Sequence, residues 1–298
     1  MSPSLSRWLV SPLCLLSPLR VTSFSLSTQG PASRLFSSTS GETLATIDET
    51  PPLHQLVKGV AEQPFSSSVV PEGKVFRHRY VGLRHGQSKA NVEGIISSEP
   101  SIGCVRHGLT EMGREQARSS ASSLKDLLSE SELKSAEFIS SDFTRARETA
   151  VECMGELSRL LSPQWIPPPL RIDQGLRERF FGDLDGLPLS KYHIVWPIDS
   201  LDARNARHRV ESVNATADRV GRLLCALERE GEPGVRKTFV LVSHADTLQI
   251  MQSFLVWAET KGAGWDPRLF HQLRFANAEV RDLRCLPDPV PIEYPGPA

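Results

Sequence analysis

Thr238-Phe239-Val240-Leu241-Val242-Ser243-His244-Ala245-Asp246 is the stretch on which the fold turns. Its first five residues are β-branched or apolar without alternation, the pattern of a strand covered on both faces, and Thr247 to Trp257 continues at helical spacing. Such a strand needs helices on either side of its sheet, and the rest of the chain repeats the alternation. Tyr80 to Leu83 predicts a strand that runs into a glycine turn. Thr110 to Leu128 predicts a helix with Ala117, Ala121, Leu124 and Leu128 on one face and Thr110 as its cap. Ala136 to Ile139 gives a further strand, Phe143 to Leu161 a helix closed by Pro163, Leu170 to Ile172 a short extended run, and Glu211 to Leu227 a helix stopped at Gly231. The expectation is an α/β fold, three-layered α/β/α, around a central, mostly parallel sheet. In such sheets ligands sit beyond the carboxyl ends of the strands.

Outside that alternation the chain changes character. Positions 1–41 hold Arg7, Arg20 and Arg34 but no Asp, Glu or Lys, with 12 Ser and 3 Thr. This Arg-containing, acid-free composition predicts an organelle transit peptide, mitochondrial by the Arg34-Leu35-Phe36 context, with plastid import or a secretory signal over Trp8 to Leu16 as the alternatives. Positions 42–74 mix prolines, glycines and a serine run and read as a poorly structured linker; 75–286 is the folded domain and 287–298 a tail. Taking the segment's +3 from the whole-chain charge of -1 leaves about -4, so no global basic field points to nucleic acid. No apolar run reaches the roughly 18 to 20 residues of a bilayer span. The five cysteines are widely spaced without a Cys-x-x-Cys, which excludes a disulfide framework or zinc site of that pattern. Oligomeric state has no sequence signal.

The residues with chemical potential cluster at the predicted strand ends. Arg84, His85, Gly86, Ser88 and Asn91 follow the first strand; Ser141 to Ala150, with Arg145, follow the second; Leu176-Arg177-Glu178-Arg179 follow the short run; Ser243-His244 follow the fourth. Two guanidiniums, two imidazoles and a carboxyl in one cleft suffice for phosphoryl transfer without a metal or cofactor. Arg84 and Arg145 would spread donors over the phosphoryl oxygens. Neutral His85 would attack phosphorus, provided its other nitrogen is held as a donor. Glu178 would protonate the leaving alkoxide and later activate water, and His244 would complete the oxyanion clamp.

With these four blocks in order, the chain resembles the histidine phosphatase superfamily, the phosphoglycerate mutase-like family, over most of positions 78–285. The resemblance implies a central mixed sheet, a phosphohistidine on His85, a phosphate pocket from Arg84, Asn91, Arg145 and His244, and Glu178 as proton donor. Two positions depart from the common pattern: Ala245 stands where glycine often follows the second histidine, and Leu184 where an aromatic is frequent. Ala245 is tolerable only if its backbone stays at negative φ.

Plainer readings compete. Arg-His-Gly recurs at Arg106-His107-Gly108 ahead of a helix start, without the following Ser and Asn, so block context selects His85 over His107 as nucleophile. Glu178 between Arg177 and Arg179 also fits a surface ion pair. His54, His78, His193, His208 and His271 read as structural or exposed, the Arg204, Arg207, Arg209 cluster as a solvated turn, and Lys191, Tyr192 and Trp196 as wall of an entrance. Three functions follow: a phosphatase for a small phosphorylated substrate, a phosphoglycerate-type mutase, or a non-catalytic phospholigand or protein binder. The 66 positions from Glu178 to His244 are short beside the insertion usual in the mutases that the chain resembles, which favours water as acceptor.

Overall fold

The computed structural model describes residues 64–69, 76–162, 164–260 and 265–286. The segments expected as transit peptide and tail, and His54, lie outside them. Five strands form one sheet in the order β3-β2-β4-β1-β5: β1 (Arg79–Arg84), β2 (Glu137–Ser140), β3 (Arg171–Ile172), β4 (Thr238–Ser243) and β5 (Val280–Asp282). All neighbours are parallel except β5, which returns antiparallel along β1.

All six residues of β4 are buried, and their alternation feeds two cores. Phe239 and Leu241 pack with helices α3 (Val213–Leu227) and α4 (Ala245–Glu259) on one face. Val240 and Val242 pack with α1 (Glu111–Leu127) and α2 (Thr144–Leu161) on the other. Each such side chain withdrawn from water contributes about 1.5 to 3 kcal/mol. The expected three layers are thus present.

Two of the helix starts, those of α1 and α3, follow side-chain caps. Thr110 Oγ1 accepts from Gly113 N at 3.0 Å, as expected, whereas α3 begins two residues later than its periodicity suggests. There Ser212 Oγ caps Ala215 N at 3.1 Å, and Glu211 stays outside to pair with Arg219. Part of the expected linker is attached to the domain: Phe65 meets Trp257 edge-on at 5.2 Å, and Ser67 Oγ and Ser68 N donate to Asp218 Oδ1, both at 2.9 Å.

The connections place a crevice. From β1 the chain passes through α1 toward β2; from the neighbouring β4 it passes through α4 toward β5. The two routes diverge to opposite layers from adjacent strand ends, the topology that opens a ligand crevice in α/β sheets.

Candidate active site

Arg84 and Ser243 are register partners at the ends of β1 and β4, and His85 N donates to Ser243 O at 3.0 Å. The sheet itself therefore carries His85 and His244 side by side. Their ring centroids are 5.2 Å apart with planes inclined at 61°, and both side chains are buried. Arg145 arrives from the first turn of α2 and places its guanidinium between them. Its Nε donates to His85 Nε2 at 3.1 Å and to His244 Nδ1 at 3.2 Å.

Those bonds fix the tautomers. His85 Nε2 is an acceptor, so its proton is on Nδ1, which donates to Gly86 O at 2.7 Å. His244 accepts at Nδ1 and donates from Nε2 to Ser141 Oγ at 3.0 Å. Burial, followed by the nearby Arg145 charge, holds both histidines well below the ordinary imidazole pKa. Both are neutral at pH 7. Burial also lowers Arg145, to about 10, which leaves it a cation.

A cation in the first turn of a helix opposes the helix dipole, so Arg145 is placed against local stability. The same placement concentrates positive potential. Two further donors on Arg145 go to Ser97, from Nη1 to Oγ at 3.3 Å and from Nη2 to the carbonyl at 2.9 Å. Thr149, one turn on, donates to Arg145 O at 2.8 Å and accepts from Gly86 N at 3.1 Å, strapping α2 to the turn after β1.

Arg84 leaves the end of β1 and donates from Nη1 to Phe275 O at 2.5 Å. Its Nε is buried without a partner among the described residues, a donor that costs stability until an acceptor reaches it. Asn91 Oδ1 accepts from Ser88 N and Ser88 Oγ, both at 3.0 Å, so the amide oxygen is engaged and its nitrogen is not used in these bonds.

Glu178 is not the surface ion pair that its neighbours suggested. Arg177 is held by Asp142 at 2.6 Å, and the fully buried Arg179 by Asp199 at 2.6 Å. Glu178 Oε1 instead accepts from Arg179 N at 2.9 Å and from Thr247 N, in the first turn of α4, at 3.3 Å. Ala245, which opens α4, has helical backbone and so avoids the positive φ that would have strained it. Leu184 is fully buried.

Arg84, His85, Asn91, Arg145 and Glu178 line one cavity of about 220 Å³, and His244 lies buried behind Arg145. Glu178 also borders a second cavity of about 410 Å³, together with Arg177, Glu211 and Arg219. Tyr192 and Trp196 line the first cavity as expected, stacked on each other at 4.4 Å; Lys191 does not. The Arg204, Arg207 and Arg209 cluster does not line it either, and Arg209 pairs with Asp183.

The histidine phosphatase superfamily (branch 1) profile matches residues 81–289. The chain belongs to that superfamily. Its solved relatives include a mycobacterial hydrolase and a mycobacterial glucosyl-3-phosphoglycerate phosphatase solved with VO3. Each is 27% identical, with a TM-score of 0.50 over 68% of this chain and 89% of theirs. A putative alpha-ribazole-5'-P phosphatase from Escherichia coli is 21% identical, with a TM-score of 0.47 over 68% and 88%. No curated protein matches the chain. The superfamily blocks are the same strand-end segments that converge on the cavity.

Five polar lining residues were missed by sequence reasoning or given no role: Ser97, which holds Arg145, and Asp246, Gln249, His271 and Arg274. His271, read as structural or exposed, is buried, bonds Ser200 Oγ through Nε2 at 2.8 Å and also lines the cavity. Gln249 and Arg274 join it, from α4 and the following segment. Asp246 accepts from Trp196 Nε1 at 3.1 Å and lies 3.6 Å from Arg179. Burial, then the charge of Glu178, pushes its carboxyl up to about 7. For Asp246 the signal was present, two positions after His244; the others carry no local mark.

Proposed function

We propose that the chain is a metal-independent phosphomonoesterase that hydrolyses a small phosphorylated substrate through a phosphohistidine on His85. One observation carries the reading: the Nδ1 proton of neutral, buried His85 is tied to Gly86 O, which leaves the Nε2 lone pair beside two guanidiniums.

In the proposed sequence the substrate phosphoryl oxygens take over the donors of Arg84 and Arg145, including the partnerless Arg84 Nε. Arg145 Nε then releases His85 Nε2, which attacks phosphorus in line with the leaving oxygen. The P–O bond breaks as N–P forms, and Glu178, acting as general acid, gives a proton to the departing alkoxide. Water enters next; Glu178 takes its proton back, oxygen attacks phosphorus, and N–P cleavage returns neutral His85 and free phosphate. His244, neutral and bonded to Ser141, accepts from Arg145 Nε and so orients that guanidinium. Two cations perform the charge stabilisation that a metal ion supplies elsewhere, so the scheme draws on none. Phosphatases among the solved relatives and the short interval from Glu178 to His244 favour water over a second phosphate acceptor.

The test is hydrolysis of an aryl phosphate by the purified chain in the presence of a chelator, with His85→Ala alongside. The wild type should turn over, and His85→Ala should lose about three orders of magnitude or more in kcat. Unchanged hydrolysis by His85→Ala removes the nucleophile. Conversion of 3-phosphoglycerate to 2-phosphoglycerate at a rate rivalling phosphate release replaces the phosphatase with a mutase.

A further inference from the structure

Glu178 belongs to no helix or strand, so its carboxyl is only as well placed as the loop that carries it. That loop is gripped on both sides by one pair of side chains. Before Glu178, Arg219 Nη1 donates to Gly175 O at 2.7 Å and to Arg177 O at 3.1 Å. After it, Glu211 Oε2 accepts from Phe180 N at 3.2 Å, and Glu211 N donates to Phe180 O at 2.7 Å. The two grips are one unit, because Arg219 Nε and Nη2 donate to Glu211 Oε1 and Oε2, both at 2.9 Å. Ser243 and Thr247, which flank His244 and open α4, take Leu176 O at 2.6 Å and Arg177 O at 2.7 Å. The loop is thereby referred to the strand end that also sets His85.

An ion pair serving α3 alone would join residues three or four positions apart. Arg219 and Glu211 are eight apart, and the acid precedes the Ser212 cap. All three guanidinium nitrogens of Arg219 go to the Glu178 loop or to the acid that grips it. Both side chains border the second cavity together with Glu178, and neither lines the first. A phosphate ester bound beside His85 would therefore reach Glu178 and touch neither member of the pair.

We propose that Arg219 and Glu211 are positioning residues for proton transfer, holding the loop so that the Glu178 carboxyl stands at the leaving oxygen. This rests on the reading of Glu178 as general acid.

The readout is dependence on the leaving group. A general acid matters most when the departing oxygen is basic, so phenyl phosphate needs it and 4-nitrophenyl phosphate, whose anion is stable, needs it little. On the full chain, Glu178→Gln should lower kcat/KM for phenyl phosphate far more than for 4-nitrophenyl phosphate. Arg219→Gln should show the same selectivity, by about tenfold between the two substrates. Arg219→Lys, which keeps the charge without the fork, should recover part of it. The double variant with Glu178→Gln should be no more selective than Glu178→Gln alone, since both act through one carboxyl. A merely structural pair would lower both substrates by one factor, and equal losses from Arg219→Gln overturn the proposal. If Arg219→Gln does not fold, Arg219→Lys and Glu211→Gln carry the same comparison, and an unchanged ratio in both overturns it.

Amide hydrogen exchange reads the placement without turnover. Arg179 N and Thr247 N donate to Glu178 Oε1, at 2.9 and 3.3 Å, and not to Arg219. Arg219→Gln should speed their exchange about tenfold or more while the amides of β4 keep their protection. Faster exchange there beside an unselective Glu178→Gln keeps the grip on the carboxyl and loses the proton donor. A selective Glu178→Gln beside an unselective Arg219→Gln does the reverse.

Discussion

The tripeptide Arg-His-Gly occurs at 84–86 and again at 106–108, and the two copies meet different surroundings. The first closes β1, a strand clasped between β4 and β5, so His85 is buried with a fixed tautomer and Arg84 Nε is buried without a partner among the described residues. The second lies in a turn before α1, where Arg106 is exposed and His107 adopts a φ of 54°. Identical side chains acquire the fixed tautomer asked of the proposed nucleophile in one place and a supporting contact in the other, because the strand end and not the tripeptide sets burial and neighbours.

The sharpest way to break that contrast is to remove each arginine. Arg84→Ala takes away donors aimed at the phosphoryl oxygens and should lower kcat/KM on an aryl phosphate by about 10² to 10³. Arg106→Ala removes an exposed side chain and should change folding stability by less than about 0.5 kcal/mol, with activity unaltered. Equal losses from both would mean that the first copy is not the phosphate end.

The glycines give a smaller, purely structural contrast. A Cβ on Gly86 would sit 2.3 Å from Gly113 O, and one on Gly113 would sit 2.0 Å from Gln87 O. Two backbones touch there, which is how the first turn of α1 is pressed against the loop after His85. A Cβ on Gly108 would meet the Glu148 carboxylate at 2.9 Å, the far end of a side chain that accepts from Leu109 N at 2.7 Å and pairs with Arg114 but can shift more readily than backbone. Gly86→Ala should therefore cost about 2 to 3 kcal/mol in denaturant unfolding, and Gly108→Ala less than about 1. A reversed order would contradict the packing at the His85 loop.

How far the sequence showed this depends on whether a signal is local. β4 announces itself because both of its faces are buried, and the parallel layers follow from that one run. β5 does not, since its three residues are all half-buried and it is a strand only by pairing with β1. His85, Arg145 and His244 were legible as strand-end residues at recognisable spacing. The role of Glu178 depended on Asp142 and Asp199 taking up its neighbours, contacts set by tertiary structure. Arg274 and His271 reach the cavity only through the fold, nearly two hundred positions after His85, with no periodicity or motif to mark them.

The subtlest prediction concerns the second copy's histidine, whose side chain is not idle. Ser97 Oγ accepts from Arg145 Nη1, so its own hydrogen is available to His107 Nδ1, 2.9 Å away, and the far nitrogen of that ring lies 4.0 Å from Glu93. The expected role of His107 is therefore to orient Ser97, whose hydroxyl and carbonyl accept from the guanidinium between the two buried imidazoles. Glycine accepts a positive φ, so His107→Gly removes the ring without forcing the backbone and should cost no more than about 1 kcal/mol of stability. Its effect should fall on turnover, with kcat lowered by about three- to tenfold and KM changed less, because a misplaced Arg145 is felt most when charge spreads in the transition state. Ser97→Ala should give a loss of similar size, and the double variant should be no worse than either single one, since both break the same link to Arg145. Strictly additive losses would show that His107 acts on the site by some other route, and an unaltered kcat in His107→Gly would return the second copy to the turn in which it lies.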